Sequence, residues 1–424
     1  MKISFIGTGY VGLVSGVMMS HLGHEIICLD VDQNKISKLK NKQTPIYEPG
    51  LNEYIEKYGN SKRLSFLHGY NESIQDSECL FITVGTPPKE NGDADLSGIF
   101  KAIDSASEYI NSECVIVIKS TVPPGTCKQV KDYMMQKGKD IHIVSNPEFL
   151  REGNAVKDFV EPDRIVIGAD SQHALEVMRE VYKPLTDQGI PLVETDLNTS
   201  ELIKYASNTF LANKIAFINE MSDLCEIIGA DIGTLSEGLG LDKRIGKDFL
   251  QAGPGFGGSC FPKDILALQQ LTKKLDYDFL ILDAIIKANQ NRPHSITRKI
   301  SGLFGGDLKG KKLAILGLTY KAGTDDLRSS PAIDLIKLLE KEGAIITAYD
   351  PQGMVNVPQY FDHLDCARSV EEAVKDASAI VIATEWPEFK KIDLEKIRWL
   401  VKEPNIIDLR NIFSPKTVKS FNFK

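Results

Sequence analysis

One cysteine in this sequence stands where covalent chemistry is possible. Cys260 lies in "GPGFGGSCFPKD", Gly253 to Asp264, whose glycines and prolines make the backbone permissive around a single thiol. A thiolate is a strong nucleophile, and a thiol pKa falls at a helix N-terminus or beside a lysine. Pro262 suits the first turn of a helix. Lys263 is three residues from the thiol, and Asp264, four residues on, can face it one turn along. Gly255, Gly257 and Gly258 would let a bulky substrate lie against the main chain. Structural thiols rarely sit in such loops, so Cys260 is expected to be functional.

A second constellation handles phosphate. "IGTGYVG" sets Gly7, Gly9 and Gly12 in the spacing GxGxxG after an apolar strand, with Tyr10 and Val11 opening an apolar helix. The first glycine permits a tight turn, the second lets a pyrophosphate approach, and the third lets helix pack on strand. The helix N-terminus then offers free N–H groups to the phosphates. Asp30 ends the next strand, where a carboxylate would accept from a ribose hydroxyl and repel a 2′-phosphate, favouring NAD over NADP. Lys35 is near enough to reach the same cofactor, although a solvated helix position describes it better.

Other candidates carry weaker signals. Lys204 and Asn208 are four apart on a helical stretch and share a face. Together they could steady a developing alkoxide, although on spacing alone a solvated pair is the better account. "NPEFLREG" brings Glu148 and Glu152 just past a strand end, where carboxylates can act as bases or bind sugar hydroxyls; a capped helix start is as natural. Thr121 in "KSTVPPGT" falls at another strand end, the usual ligand edge of an α/β sheet. Lys321 and Arg328 in "YKAGTDDLRSSP" could partner a diphosphate or belong to an ordinary ion-pair cluster.

These residues need a scaffold, and the hydrophobic pattern supplies one. Short apolar runs ("KISFIG", "EIICLD", "CLFITVG", "CVIVIKS", "HIVSNP", "RIVIG") alternate with helical segments up to about Asp196. That pattern predicts a doubly wound, parallel α/β sheet covered on both faces. From Thr199 to Ile228 there is neither Gly nor Pro, which predicts one long helix opened by a "TSE" cap and closed at Gly229. More helix follows from about Lys263 to Asn291, and strands return after about Pro293. "KKLAILGLTYK", "AIITAYDP" and "AIVIATEWP" echo "MKISFIGTGYVG", "EIICLDVD" and "CLFITVGTPP", so a second α/β domain is expected. Only Gly317 stands there where the first domain has three glycines, so its natural ligand would be a nucleotide without a nicotinamide, or none. The expected division is 1–196, 197–296 and 297–424: two Rossmann-like domains joined by a helical one carrying a spine helix. The spine's spare apolar face could bury against a second copy.

Composition sets limits. The 424 residues are 42% hydrophobic and a quarter charged, with a net charge of −8 and no basic block. Nucleic acid and anionic membrane are poor partners, and no apolar run approaches the ~18 residues of a membrane span. Seven cysteines without metal-ligand spacing, behind a strand rather than a leader, point to reduced thiols in a cytoplasmic protein and to no metal centre.

Taken together, "GTGYVG", "VGTPP", "STVPPGT", "NPEFLREG", the Lys204–Asn208 helix, "GFGGSCFPKD" and "LTYKAGTDDLRSSP" closely resemble the UDP-glucose/GDP-mannose dehydrogenase family along the whole chain. The loop around Cys260 is similar to that of members acting on UDP-glucose rather than GDP-mannose, and "NPEFLREG" sets the chain apart from relatives acting on UDP-N-acetyl sugars. The resemblance implies oxidation of a sugar C6 alcohol to a carboxylate with two NAD per substrate, through a thiohemiacetal and a thioester on Cys260. It assigns oxyanion stabilisation to Lys204 and Asn208, and water handling to Asp264, Thr121 and Glu148. It places Gly7, Gly9, Tyr10, Val11, Gly12, Asp30, Lys35, Thr86, Thr121, Glu152, Lys263 and Arg328 at NAD. Glu148, Phe149, Leu150, Arg151 and Glu152 would hold the UDP-sugar with Lys204 and Asn208. The loop residues Phe249, Leu250, Gln251, Ala252, Gly253 and Gly257 would join them, with Lys321 and Arg410. Arg244 matches an arginine that reaches across a dimer interface, which implies a homodimer through the central helices. A single-hydride β-hydroxyacid dehydrogenase shares the fingerprint and the lysine–asparagine pair but has no use for the cysteine loop.

Overall fold

The computed structural model describes residues 1–59 and 61–424. The chain divides into two compact units, residues 1–207 with 266–275, and residues 208–265 with 276–424.

The first unit is built on strands β1 (Lys2–Ile6), β2 (Glu25–Asp30), β3 (Leu64–His68), β4 (Cys79–Ile82), β5 (Val115–Ile118), β6 (His142–Ser145), β7 (Ile165–Ala169) and β8 (Leu192–Thr195). Among the described residues they form one sheet in the order β3-β2-β1-β4-β5-β6-β7-β8. Alternate side chains serve opposite faces. Ile3, Phe5, Ile26, Cys28 and Phe81 pack under the helix Tyr10–His21. Ile6, Ile27, Leu29, Leu80 and Ile82 pack under the helices Ser97–Ala106 and Thr126–Gln136. Phe5 and Phe81 stack at 4.7 Å between centroids. Each such fully buried side chain contributes about 1.5–3 kcal/mol.

The sheet is not parallel throughout, because β7 runs antiparallel to β6. The intervening segment holds only a six-residue helix, Ala155–Val160, and starts β7 at the edge where β6 ends. Its beginning, residues 146–153, therefore stays at the carboxyl edge, where α/β sheets bind ligands.

The second unit carries β9 (Lys312–Leu316), β10 (Ile345–Tyr349), β11 (Asp365–Cys366), β12 (Ala379–Ile382) and β13 (Ile406–Asp408), all parallel in the order β11-β10-β9-β12-β13. The expected long helix runs from Leu197 to Ile228, 32 residues, or roughly 48 Å at 1.5 Å per residue. It starts earlier than the "TSE" cap suggests: Asp196 receives the Thr199 N–H at 2.9 Å and the Thr199 hydroxyl at 2.6 Å, and an acid is the stronger N-terminal acceptor. It closes as expected, with Gly229 at φ +75° and the Ala230 N–H returning to Cys225 O.

The following helical stretch is two helices, Phe261–Lys274 and Leu280–Leu303. Pro293 lies inside the second, so the strands return only at Lys312. Tertiary bonds offset the missing N–H there: buried Arg292 donates to Gly253 O at 3.0 Å and pairs with Asp223. Among the described residues no helix is long and apolar enough to cross a membrane.

Candidate active site

The glycine fingerprint opens onto a cleft of about 330 Å³ at the carboxyl edge of the first sheet, lined by Gly7, Gly9, Asp30, Lys35 and Tyr70 among others. The three glycines have separate reasons. Gly7 sits at φ +97°, and a Cβ on Gly12 would fall 2.0 Å from Gly7 O and 2.3 Å from Thr83 Oγ1. A Cβ on Gly9 would meet nothing within 4 Å, so that glycine keeps space open rather than relieving a clash. Gly9 is also the N-cap, with no capping side chain, and the first turn (Tyr10, Val11, Gly12) contains no acid. Unanswered N–H groups beside open space suit a pyrophosphate.

Asp30 receives the Thr8 N–H at 2.7 Å, the Thr8 hydroxyl at 2.8 Å and the Asp32 N–H at 2.9 Å, while Lys35 Nζ lies 3.9 Å away. Burial works to raise its pKa. The donors of Asp32 and Thr8, with the Lys35 ammonium, outweigh that and hold it below the usual carboxylate value. A carboxylate fixed in the charged state at the mouth of this cleft suits ribose hydroxyls.

In the second unit the Cys260 loop ends at the start of the helix Phe261–Lys274, with Cys260 O accepting the Asp264 N–H at 3.0 Å. The thiol is half-buried and 3.5 Å from Ser259 Oγ. Asp264 is buried, receives the Asn208 amide at 2.7 Å and lies 2.5 Å from Lys263 Nζ. Lys263, Asp264 and Asn208 thus form one linked group beside the thiol-bearing turn.

Two of the loop glycines have close neighbours within the chain. A Cβ on Gly257 would lie 2.2 Å from Ser329 O, and one on Gly258 would strike the Tyr320 ring at 2.8 Å. Ser329 and Tyr320 of the chain's own second α/β domain lie against that side of the loop. Asn289 clamps Phe256, accepting its N–H at 2.8 Å and donating to its carbonyl at 3.0 Å.

Family models match in register with this anatomy. They are the NAD binding domain of the UDP-glucose/GDP-mannose dehydrogenase family over residues 1–186, its central domain over 198–291 and its UDP binding domain over 314–415. The chain belongs to that family. It is 54% identical over 426 residues to the UDP-glucose 6-dehydrogenase of Rickettsia felis (100% of this chain, 95% of the relative). It is 55% identical to that of Rickettsia bellii (100% and 98%). The solved UDP-glucose dehydrogenase of Pyrobaculum islandicum superimposes with a TM-score of 0.91 at 36% identity, covering 97% and 94% of the two chains.

In this family member the lysine–glutamate chemistry of the first unit is buried rather than solvated. Lys204 Nζ and Glu148 Oε1 are 3.1 Å apart, and both residues are 5% exposed. The solvated-pair account of Lys204 and Asn208 is overturned, since both turn inward. Spacing defines a helix face but not which face is covered. The Lys204 ammonium also lies 5.2 Å from the centre of the Phe149 ring, which Arg164 stacks at 3.5 Å.

Sequence reasoning missed Lys119. It is buried at the end of β5, bonded to Asn146 Oδ1 at 3.1 Å and Tyr182 OH at 3.3 Å. Burial lowers its pKa to about 8, opposed by the Glu148 carboxylate and assisted by Lys204. Its position directly before Ser120 and Thr121 in "KSTVPPGT" was the available signal. Glu201, the acid of "TSE", accepts the N–H groups of Gly125 (2.6 Å) and Cys127 (2.7 Å) and caps a neighbouring helix.

Among the remaining candidates, Thr86 donates to Thr121 O at 2.9 Å and so joins two loops at the sheet edge. Leu150 and Glu152 are half-buried; Arg151 is exposed and pairs with Asp158. Leu250, Ala252 and Gly253 are buried, Gln251 is exposed, and Phe249 takes a left-handed φ of +63°. Arg410 donates to Ala383 O and Tyr320 O, both at 2.9 Å, with its guanidinium against Gly253. Arg328 pairs with Asp326, Arg244 with Asp242, and Lys321 Nζ lies 5.7 Å from the Tyr320 ring centre.

Proposed function

We infer that this protein oxidises the C6 alcohol of UDP-glucose to the carboxylate in two NAD-dependent steps, giving UDP-glucuronate. The observation that supports it most is the Cys260 turn: a half-exposed thiol at a helix start, in a chain with a dinucleotide cleft. A single alcohol oxidation needs no nucleophile. An aldehyde, in contrast, has no second hydride to release easily until something adds to its carbon.

NAD, when held by the residues assigned below, would take up the hydride that C6 releases at each oxidation, and in the first the C6 hydroxyl also gives up its proton to leave an aldehyde. Cys260 sulfur then forms a bond to the aldehyde carbon, giving up its proton as the carbonyl oxygen gains one. The thiohemiacetal loses its C–H as hydride and its O–H as a proton, leaving a thioester on Cys260. Water adds to the thioester carbon, the C–S bond breaks with sulfur leaving as thiolate, and the acid is released. The Lys204 ammonium and the Asn208 amide are assigned to the oxygen that carries charge in these states. Asp264 is assigned to the attacking water, and Thr121 and Glu148 to water and proton movement. Asp264 and Asn208 are already hydrogen-bonded to each other, which fixes the orientation of both.

The dinucleotide is assigned to Gly7–Gly12, Asp30, Lys35, Thr86, Thr121, Glu152, Lys263 and Arg328. The sugar nucleotide is assigned to residues 148–152, 249–253 and 257, with Lys321 and Arg410. A homodimer through the long helix, with Arg244 crossing to the second copy, belongs to the same reading. Phe210, Phe217 and Leu224, seven residues apart on that helix, are 65%, 50% and 44% exposed. Phe217→Glu is expected to convert a dimer to a monomer in light scattering.

The deciding experiment counts NADH formed per limiting UDP-glucose. Two per sugar in the unmodified protein, with Cys260→Ser unable to complete turnover, is the expected result. One per sugar, unchanged by Cys260→Ser, would refute the thioester route. Activity only with GDP-mannose or a UDP-N-acetyl sugar would refute the substrate assignment.

A further inference from the structure

The amino edge of the first sheet, opposite the dinucleotide cleft, gathers metal-ligating side chains that the oxidation does not use. Glu113 precedes β5, His142 opens β6 beside Val115 of β5, and His173 lies in the first turn of the helix Gln172–Thr186. One ligating atom from each of these residues lies within 4.8 Å of the others. The imidazole rings are 4.6 Å apart between centroids, and Glu113 is exposed while both histidines are half-buried.

We propose that Glu113, His142 and His173 form a binding site for a divalent transition-metal ion of the zinc type. Two imidazoles and one carboxylate, with a fourth position left to water, are a common zinc donor set. The outer hydrogen bonds are in place for it. His173 Nε2 lies 3.0 Å from Glu113 O, and a carbonyl can only accept, so that nitrogen carries the proton. The lone pair of neutral His173 is therefore on Nδ1. His142 Nδ1 lies 3.1 Å from Ser171 Oγ, which leaves its Nε2 for an ion. Partners of this kind on the non-ligating nitrogen are what orient metal-bound histidines. The Glu113 carboxylate supplies the negative charge that offsets the positive end of the helix carrying His173. An ion here would tie the entry of β5, the entry of β6 and that helix together, on the sheet edge away from Asp30.

The test is an equilibrium titration with Zn²⁺ against a chromophoric chelator. It uses the full chain carrying Cys260→Ser and Cys366→Ser, so that exposed thiols do not compete. The expected result is one equivalent bound. His142→Gln with His173→Gln should weaken it by at least ~100-fold, and Ser171→Ala by ~10-fold through the lost outer bond. Glu113→Gln changes only an exposed side chain, leaves folding intact and should also weaken binding. No binding by the parent overturns the proposal. So does weak binding of several equivalents that none of these substitutions alters, which would be surface adsorption only.

Discussion

In the first sheet, Gly7 at φ +97° donates to Leu29 O, and Asp30 at the end of β2 receives both donors of Thr8. In the second, Gly317 at φ +99° donates to Tyr349 O, and Asp350 just past β10 receives the N–H groups of Leu318 and Thr319 and the Thr319 hydroxyl. The same turn is held by the same carboxylate in both repeats. They part at the next position. Gly9 leaves open space, whereas Thr319 is bonded to Asp350, and the Trp386 indole donates to both at 3.2 Å. Asp350 also receives the N–H groups of Gln352 and Gly353 and is only 1% exposed. The helix that begins at Tyr10 in the first repeat waits until Pro331 in the second. The two turns therefore differ in what they leave open: the first has an empty Cβ position and a helix that starts at once, and the second has neither.

Substitutions can break this contrast, and the largest effect is expected at Gly12. Gly12→Val has no room against Gly7 O. It should raise the KM for NAD by at least ~100-fold and cost ~3 kcal/mol or more in denaturant unfolding. Asp350→Asn sets a donor against donors in a buried site and should cost ~3 kcal/mol while leaving the KM for NAD unchanged. A raised KM with little lost stability would mean that the second turn also serves the dinucleotide.

Lys119 sharpens the contrast in charge, because the ligand edge of the first sheet buries a cation. Its folded pKa of about 8 lies below the 10.5 of an unfolded chain. Below pH 8 both states hold the proton, and the folded state bears the burial cost. Between about 8 and 10.5 only the unfolded state holds it, so stability rises with pH. Lys119→Met should abolish that rise, closing a gap of at most ~3 kcal/mol between variant and wild type across the window. A gap independent of pH would locate the effect in lost packing alone. The smallest change is expected for Gly9→Ala: unfolding within ~0.5 kcal/mol of wild type, with the KM for NAD raised ~10-fold because the methyl takes cofactor space.

Much of this was legible in the residues. Two alternating strand–helix runs announce the two sheets, and Gly7, Gly9, Gly12 and Asp30 announce the cleft, because local spacing and local geometry coincide there. What escaped depends on tertiary neighbours. The reversal at β7 is set by where a short segment re-enters the sheet. The burial of Lys204 depends on which helix face is covered, and the helix runs through Pro293 because Arg292 is anchored from outside it. Gly257 and Gly258 mark a close approach. What approaches them, Ser329 and Tyr320, is more than sixty positions further along and invisible to any local motif.

That last contact bears on how relatives can be recombined. The cysteine loop and the segment from Tyr320 to Pro331 fit each other backbone to ring and backbone to backbone. A chimaera that takes its central region from one family member and its final domain from another cuts through a matched pair. Breakpoints placed before Gly253 or after Pro331 keep the pair intact. Crossovers between them should give mismatched loops even when each parent folds well.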